Sequence, residues 1–227
     1  MICAFRPWGR GQLTVRAHCR ICPAATSKIE NMITESAMTV LACLAAAADD
    51  RSGMPGHGKR VAILVGPTLK ALGIKGEEAQ LILDAARLHD IGKLSVPREV
   101  LVRARRLTAT EQDWIRRHAD RGAAYLRGQP GARPMAEIVL HHHERYDGDG
   151  YPGRVHGERI PTGSRIIAIA ESFDALTHAS PFRTAVPVPT AIDTLMSGAG
   201  RQWDGSILDA FLKGSIPELL EGSPSMD

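Results

Sequence analysis

Residues 77–93 read EEAQLILDAARLHDIGK, and this stretch decides the fold. Leu81, Ile82, Ala85, Ala86 and His89 recur at the spacing of one helical face. Glu77 to His89 is therefore predicted to be an amphipathic helix with that face turned to a core. The face ends in His89-Asp90, within the string LHDIGK. An ionised carboxylate beside a histidine at the buried end of a helix is costly unless something neutralises it. Alone, such a pair reads as a structural ion pair, so its meaning depends on what the rest of the chain brings to it.

Outward from this helix the pattern stays helical. Met38 to Ala48 is rich in Ala and Leu, the strongest helix formers. His57 to Leu72 reads as a further helix, with a kink expected at Gly66-Pro67. Pro97 breaks the chain, and a short turn is expected around Val100. Thr108 with Glu111 three residues later makes a capping box. The helix it opens is predicted to run to about Leu126, with Trp114, Ile115, His118, Gly122 and Tyr125 along one face. Pro134 starts another, continuing to about Glu144. Residues 146–163 form a loop with five glycines and two prolines, and a loop of that length inside a compact domain is usually functional. Residues 164–178, 189–197 and Ile207 to Leu220 resume helical patterns. With no strand pattern and no internal repeat, the chain is predicted to be all-α, a single helical bundle over residues 32–221.

Composition narrows the function classes. Hydrophobic residues are 44% of the 227, enough for a core. The longest apolar run, Thr39 to Ala48, is about half of the roughly 20 residues that a spanning helix needs. The net charge of +3 is uneven, since Arg6, Arg10, Arg16, Arg20 and Lys28 against Glu30 concentrate positive charge in residues 1–31. The remainder is close to neutral and offers no extended nucleic-acid surface, so neither DNA nor RNA is expected as a partner. The basic leader is expected to be a disordered extension, or an upstream start ahead of Met32, and residues 222–227 a flexible tail. It lacks the apolar core of a secretion signal. Cys3, Cys19, Cys22 and Cys43 are too few and too uneven for a disulfide framework. Cys19 and Cys22 have the spacing of half a zinc site without a second pair, so free thiols in a reducing cytoplasm are expected.

The placement of the nine histidines carries the chemistry. His57 begins a helix whose inward stripe is Val61, Leu64 and Val65. His118 lies among Trp114, Ile115 and Tyr125. His141, His142 and His143 end a helix directly before the glycine-rich loop, and Glu171 interrupts the apolar run Ile166 to Ala170. Five imidazoles and two carboxylates gathered in one core would be a severe desolvation problem without cations. Two divalent metals resolve it, with Asp90 as the bridge; mixed nitrogen and oxygen donors suit iron, manganese or zinc. Within the triplet, His142 and His143 follow Ile138 and Val139 at i+4 and share the apolar face. His141 follows Glu137 and is expected to be exposed or to act behind the ligands.

These residues match a known pattern. LHDIGK at 88–93 followed by HHERYDGDGYP at 142–152 resembles the HD-GYP domain, a branch of the HD metal-dependent phosphohydrolases. HGKRVA at 57–62, Leu107-Thr108 with Glu111, His118, GERIP at 157–161 and FDALT at 173–177 fall in the family's order. The resemblance spans about residues 36–213. It implies a helical bundle around a two- or three-metal centre, commonly iron or manganese, with zinc, nickel and magnesium as further options. It also implies hydrolysis of cyclic di-GMP to linear pGpG or to GMP, with a hydroxide bridging the two ions as attacking group. Carried over by position, His57, His89, Asp90, His118, His142, His143 and Glu171 match metal ligands. Asp90 anchors both ions, and Lys93 matches a lysine on a substrate phosphate. Gly150, Tyr151 and Pro152 are the GYP triplet, implicated in contacts with diguanylate cyclase (GGDEF) domains. Tyr151 is a candidate to stack on a base, and Arg183 matches a basic substrate contact.

Three positions depart from the family pattern. Glu171 stands where Asp is usual, and reaches one methylene further. Gly53 stands where trimetal members carry a Glu, which points to two ions here. Ser180-Pro181-Phe182 replaces the usual RPY and removes an arginine. The expected function is thus a cyclic di-GMP phosphodiesterase. The alternatives are a degenerate domain that senses the dinucleotide or binds a cyclase, and a hydrolase for another cyclic dinucleotide.

Overall fold

The structure, a computed structural model, describes residues 35–181 and 183–221. The expected leader, the Cys19–Cys22 pair, Phe182 and the tail lie outside the described residues. Among the described residues all regular structure is helical, and β pairing is limited to two isolated bridges, Ser180–Arg183 and Ala199–Trp203. The all-α expectation holds.

The chain opens with α1 (Glu35–Arg51), α2 (His57–Ala71) and α3 (Gly76–Leu88), followed by a 3₁₀ turn over Ile91–Ser95 and the short α4 (Arg98–Leu101). Then come α5 (Ala109–Arg116), α6 (His118–Arg127) and α7 (Arg133–Leu140). A long loop leads to α8 (Thr162–Thr177), α9 (Val188–Ser197) and α10 (Gly205–Glu221). Central to the bundle is α2, which packs on α3, α8 and α10, while α6 packs on α7. Val61, Val65, Ile82, Leu88, Ile166, Ile167, Leu208 and Phe211 are buried in one contiguous core. Full burial of each large apolar side chain contributes about 1.5–3 kcal/mol.

The capping box forms as read: the Thr108 side chain accepts from Glu111 N–H at 3.2 Å, and Glu111 accepts from Thr108 N–H at 2.9 Å. The helix it starts does not reach Leu126. It stops at Arg116, because the Ile115 carbonyl is taken by the Arg117 N–H and by the His118 imidazole at 2.6 Å. The chain then restarts as α6. The single face expected for Trp114 through Tyr125 therefore does not exist: the break separates Trp114 and Ile115 from α6, and within α6 the buried face runs through His118, Ala119, Gly122, Ala123 and Leu126 and leaves Tyr125 at its edge. His118 and Gly122 are buried, whereas Trp114 and Tyr125 are 40% and 43% exposed. Similarly, α7 ends at Leu140 and not at Glu144, and α2 runs continuously through Pro67.

The 3₁₀ turn that follows Asp90 lies against the start of α6. A Cβ on Gly92 would sit 2.0 Å from the His118 carbonyl oxygen and 2.6 Å from Gly122 N. Only glycine permits this approach, which brings Asp90 to His118.

Candidate metal centre

Four imidazoles are oriented before any ligand is considered. His89 follows α3, His118 follows α5, and His142 lies two residues beyond α7. Each donates from Nδ1 to the carbonyl three residues earlier: Ala86 at 2.8 Å, Ile115 at 2.6 Å and Val139 at 2.5 Å. Those carbonyls belong to the last turn of a helix, where the regular N–H donor four residues on is missing. The bond places the proton on Nδ1 and leaves the Nε2 lone pair facing away from the helix. His57 reaches the same state differently, with Nδ1 donating to Asp174 Oδ2 at 2.6 Å.

The freed donor atoms converge. His57, His89 and Glu171 form one trio, and His118, His142 and His143 another, with the ligand-type atoms of each trio within 4.8 Å of one another. Asp90 sits between the trios. Its Oδ1 is 3.3 Å from His118 Nε2, and its Oδ2 is 3.5 Å from His89 Nε2 and 3.8 Å from His57 Nε2. One carboxylate oxygen therefore faces each trio. His143 Nε2 lies 3.8 Å from Glu171 Oε1, linking the two groups on the other side.

This arrangement fits cations. His89 Nε2 and Asp90 Oδ1 are buried and make no hydrogen bond, a costly condition without a ligand. His118 Nε2 and His142 Nε2 approach to 3.1 Å although each ring carries its proton on Nδ1. Lone pair then faces lone pair, which a shared cation relieves. The two clusters of His and Glu donors are thus consistent with metal sites. The nitrogen and oxygen donors suit a transition metal.

Electrostatics agree. Burial pushes the imidazoles of His89 and His142 down to about 4 and that of His118 to about 3, and His143 also falls well below its ordinary value. These four are neutral, hence able to offer a lone pair, at neutral pH; His57 is the exception, because burial lowers it but the hydrogen bond to Asp174 and the charges of Asp90 and Glu171 outweigh that and raise it. Burial raises the Asp90 carboxyl, but Lys93, His89, His118 and His57 more than offset this and hold it well below the usual range. Burial raises Glu171.

The other expected site residues divide. The Lys93 ammonium pairs with Asp90 Oδ2 at the edge of the cluster. His141 joins neither trio; its Nδ1 lies 3.6 Å from Glu144 Oε1. Gly150 is wedged against the backbone, since a Cβ there would lie 2.3 Å from Arg145 N. The Tyr151 ring stacks on His143, with centroids 4.8 Å apart and planes 27° apart. Pro152 follows through a cis peptide bond. Arg183 is exposed in the turn bridged to Ser180, and nothing brings it into contact with either trio among the described residues.

Two supporting carboxylates escaped the sequence reading. Asp174, wholly buried, holds His57 and also accepts from Arg60 Nε at 2.7 Å. It lies three residues after Glu171, on the same helical face, and that spacing was the available signal. Asp49, on α1, accepts from Gly58 N–H at 2.9 Å and secures the start of α2; burial raises its carboxyl to about 6. A cleft of about 150 Å³ opens beside the second trio, lined by His143, Glu171, Gln202 and Trp203 among others. A larger apolar groove of about 540 Å³, flanked by Ala45, Ala62 and Ile63, contains none of the trio residues.

Comparison with known proteins places this geometry. Residues 42–207 match the family model described as the HD domain. This chain belongs to the HD-domain family. The cyclic di-GMP phosphodiesterase response regulator RpfG of Xanthomonas campestris is 37% identical over 187 residues, covering 81% of this chain and 50% of the relative. A cyclic di-GMP phosphodiesterase of Thermotoga maritima is 35% identical over 159 residues, covering 69% of this chain and 43% of that one. A 3′3′-cGAMP-specific phosphodiesterase 2 of Vibrio cholerae is 32% identical over 184 residues, covering 80% of this chain and 35% of the relative. The chain thus spans half or less of the length of these relatives. The fold matches a solved cyclic GMP-AMP-specific phosphodiesterase of V. cholerae, with a TM-score of 0.59 at 19% identity over 82% of this chain and 49% of that one. It also matches an HDG"Y"P protein of Bdellovibrio bacteriovorus, with a TM-score of 0.57 at 19% identity over 73% and 52%. The HD-GYP resemblance of the 142–152 string is upheld in this HD-domain protein. No helix among the described residues is long and apolar enough to cross a membrane.

Proposed function

We propose that this HD-domain chain is a metal-dependent phosphodiesterase that hydrolyses cyclic di-GMP to linear pGpG or GMP. The observation that carries it is the placement of Asp90, one oxygen toward each histidine trio. His57, His89 and Glu171 would hold one divalent ion and His118, His142 and His143 the other, with Asp90 placed to serve both. Iron or manganese is the preferred pair. Gly53 supports two ions over three: its φ is +74°, and a Cβ there would lie 2.5 Å from the Pro181 ring, so no side chain reaches in from that position.

When bound, the ions supply a nucleophilic water at neutral pH and neutralise phosphoryl charge. The chain's own groups do the rest. The neutral imidazoles and Asp90 fix the ions, and the Lys93 ammonium offsets charge developing on a phosphoryl oxygen. Arg183, exposed, is the candidate basic contact to substrate. The cyclic di-GMP phosphodiesterases among the relatives favour this substrate, and the V. cholerae enzyme favours a second reading, hydrolysis of 3′3′-cGAMP.

Purified chain loaded with Mn²⁺ or Fe²⁺ without oxygen, then incubated with each dinucleotide, tests both. Faster turnover of cyclic di-GMP is the result expected. Turnover of 3′3′-cGAMP alone supports the second reading, and binding without product overturns both.

A further inference from the structure

Among the five histidines of the two trios, His143 is the exception. The other four each have Nδ1 fixed by a hydrogen bond, to Asp174, Ala86, Ile115 or Val139. His143 makes no ring hydrogen bond among the described residues, and its side chain is the most exposed of the five, at 24%. A ligand without an orienting partner loses rotamer freedom on binding, which weakens the site. What holds His143 instead is an aromatic ring: Tyr151 stacks on it at 4.8 Å and 27°. Arg116 lies over the Tyr151 ring at 5.6 Å from its centroid.

The loop carrying Tyr151 is itself pinned. Tyr151 N–H donates to the His143 carbonyl at 3.2 Å. Gly153 N–H donates to Glu144 Oε1 at 2.6 Å, and the Glu144 side chain is buried. A Cβ on Gly150 would meet Glu144 Cα at 2.5 Å, so the loop closes directly onto the His143-Glu144 backbone. We infer that Tyr151 is a positioning residue for His143, replacing the hydrogen bond its four companions have, and that Glu144 holds the loop that delivers it. The inference rests on the proposed metal centre and assigns the GYP tyrosine a role in building it, distinct from a contact with a base or a partner protein.

The test compares the full chain with Tyr151→Phe, Tyr151→Leu, Glu144→Ala and His143→Ala. Metal-free proteins are titrated calorimetrically with Mn²⁺, and kcat and KM are measured on cyclic dinucleotide. Wild type and Tyr151→Phe should bind two ions alike. Tyr151→Leu and Glu144→Ala should keep one ion at wild-type affinity and lose about 10–100-fold on the other, the usual effect of removing a ligand's orienting partner. Their kcat should fall with little change in KM. Histidine ¹H–¹⁵N spectra of the metal-free proteins give a readout without ions: the His143 ring should be ordered in wild type and Tyr151→Phe and averaged in Tyr151→Leu. Unchanged ion affinity with a raised KM in Tyr151→Leu would make the tyrosine a substrate contact and overturn the inference. A wild type that binds no Mn²⁺ removes the metal centre itself, and the inference with it.

Discussion

His57 Nδ1 and Asp174 Oδ2 lie 2.6 Å apart across 117 residues of chain. The carboxylate also takes Arg60 Nε at 2.7 Å and Nη2 at 3.0 Å. Burial raises the Asp174 carboxyl, but the hydrogen bonds from His57 and Arg60 outweigh it and keep the group ionised. His57 is thereby locked in the tautomer that offers Nε2.

Removal of that lock should weaken one ion only. In Asp174→Ala, affinity at the His57–His89–Glu171 trio should drop by about 10–100-fold. Thermal stability should drop too, because Arg60 loses its partner. Asp174→Asn retains an acceptor for Nδ1 and should lie between. Calorimetric Mn²⁺ titration beside thermal melting checks this, and equal affinity in all three proteins contradicts it.

Replacement of Asp90 should be more damaging than that of any single histidine, since its two oxygens serve both trios. Asp90→Ala should lose both ions and leave activity below about 1% of wild type, taking about 10²-fold as the floor for a group at the reacting centre. Elemental analysis and a turnover assay decide it. Retention of both ions and activity would refute the bridging assignment.

Gly92→Ala tests the packing that sets the centre. Its Cβ would meet backbone and not a flexible side-chain end, and overpacking of this kind costs about 1–3 kcal/mol. Tm should fall by about 2–12 °C for a domain of this size. Metal occupancy should fall with it, because Asp90 is displaced from His118. A variant with wild-type Tm and occupancy would show that the close approach is dispensable.

Acid should destabilise the metal-free protein. His89 and His142 titrate at about 4 and His118 at about 3 in the fold, against 6.5 for the unfolded residue. Between pH 6.5 and about 4 the unfolded chain takes up protons that these native imidazoles refuse, so stability rises with pH across that window. His143, also lowered, adds to the effect. Asp49, raised to about 6, and the raised Glu171 carboxyl act in the opposite sense, as does the raised His57. The four lowered imidazoles outnumber these three groups. Tm should therefore fall by several degrees from pH 7 to pH 5, as melting curves in chelator would show; a flat profile would contradict the assignment of neutral buried histidines.

The sequence by itself determined the helical class, the Thr108 capping box and the residues of the two trios. Apolar periodicity is a local property and marked the helices, whereas His142 and His143, which lie beyond α7, were legible through the resemblance of the HHERYDGDGYP string and not through a helical stripe. The ends of the helices were decided only in three dimensions. At His118 and beyond Leu140, an imidazole competes for a carbonyl of the last turn, and burial of the opposite ring nitrogen in the common centre settles the competition. The same convergence chose Asp174 as the partner of His57, turned one oxygen of Asp90 to each trio and laid Tyr151 on His143. These contacts join residues distant along the chain or lying outside regular helix, where no periodic pattern exists to reveal them, and they form only once the bundle has closed.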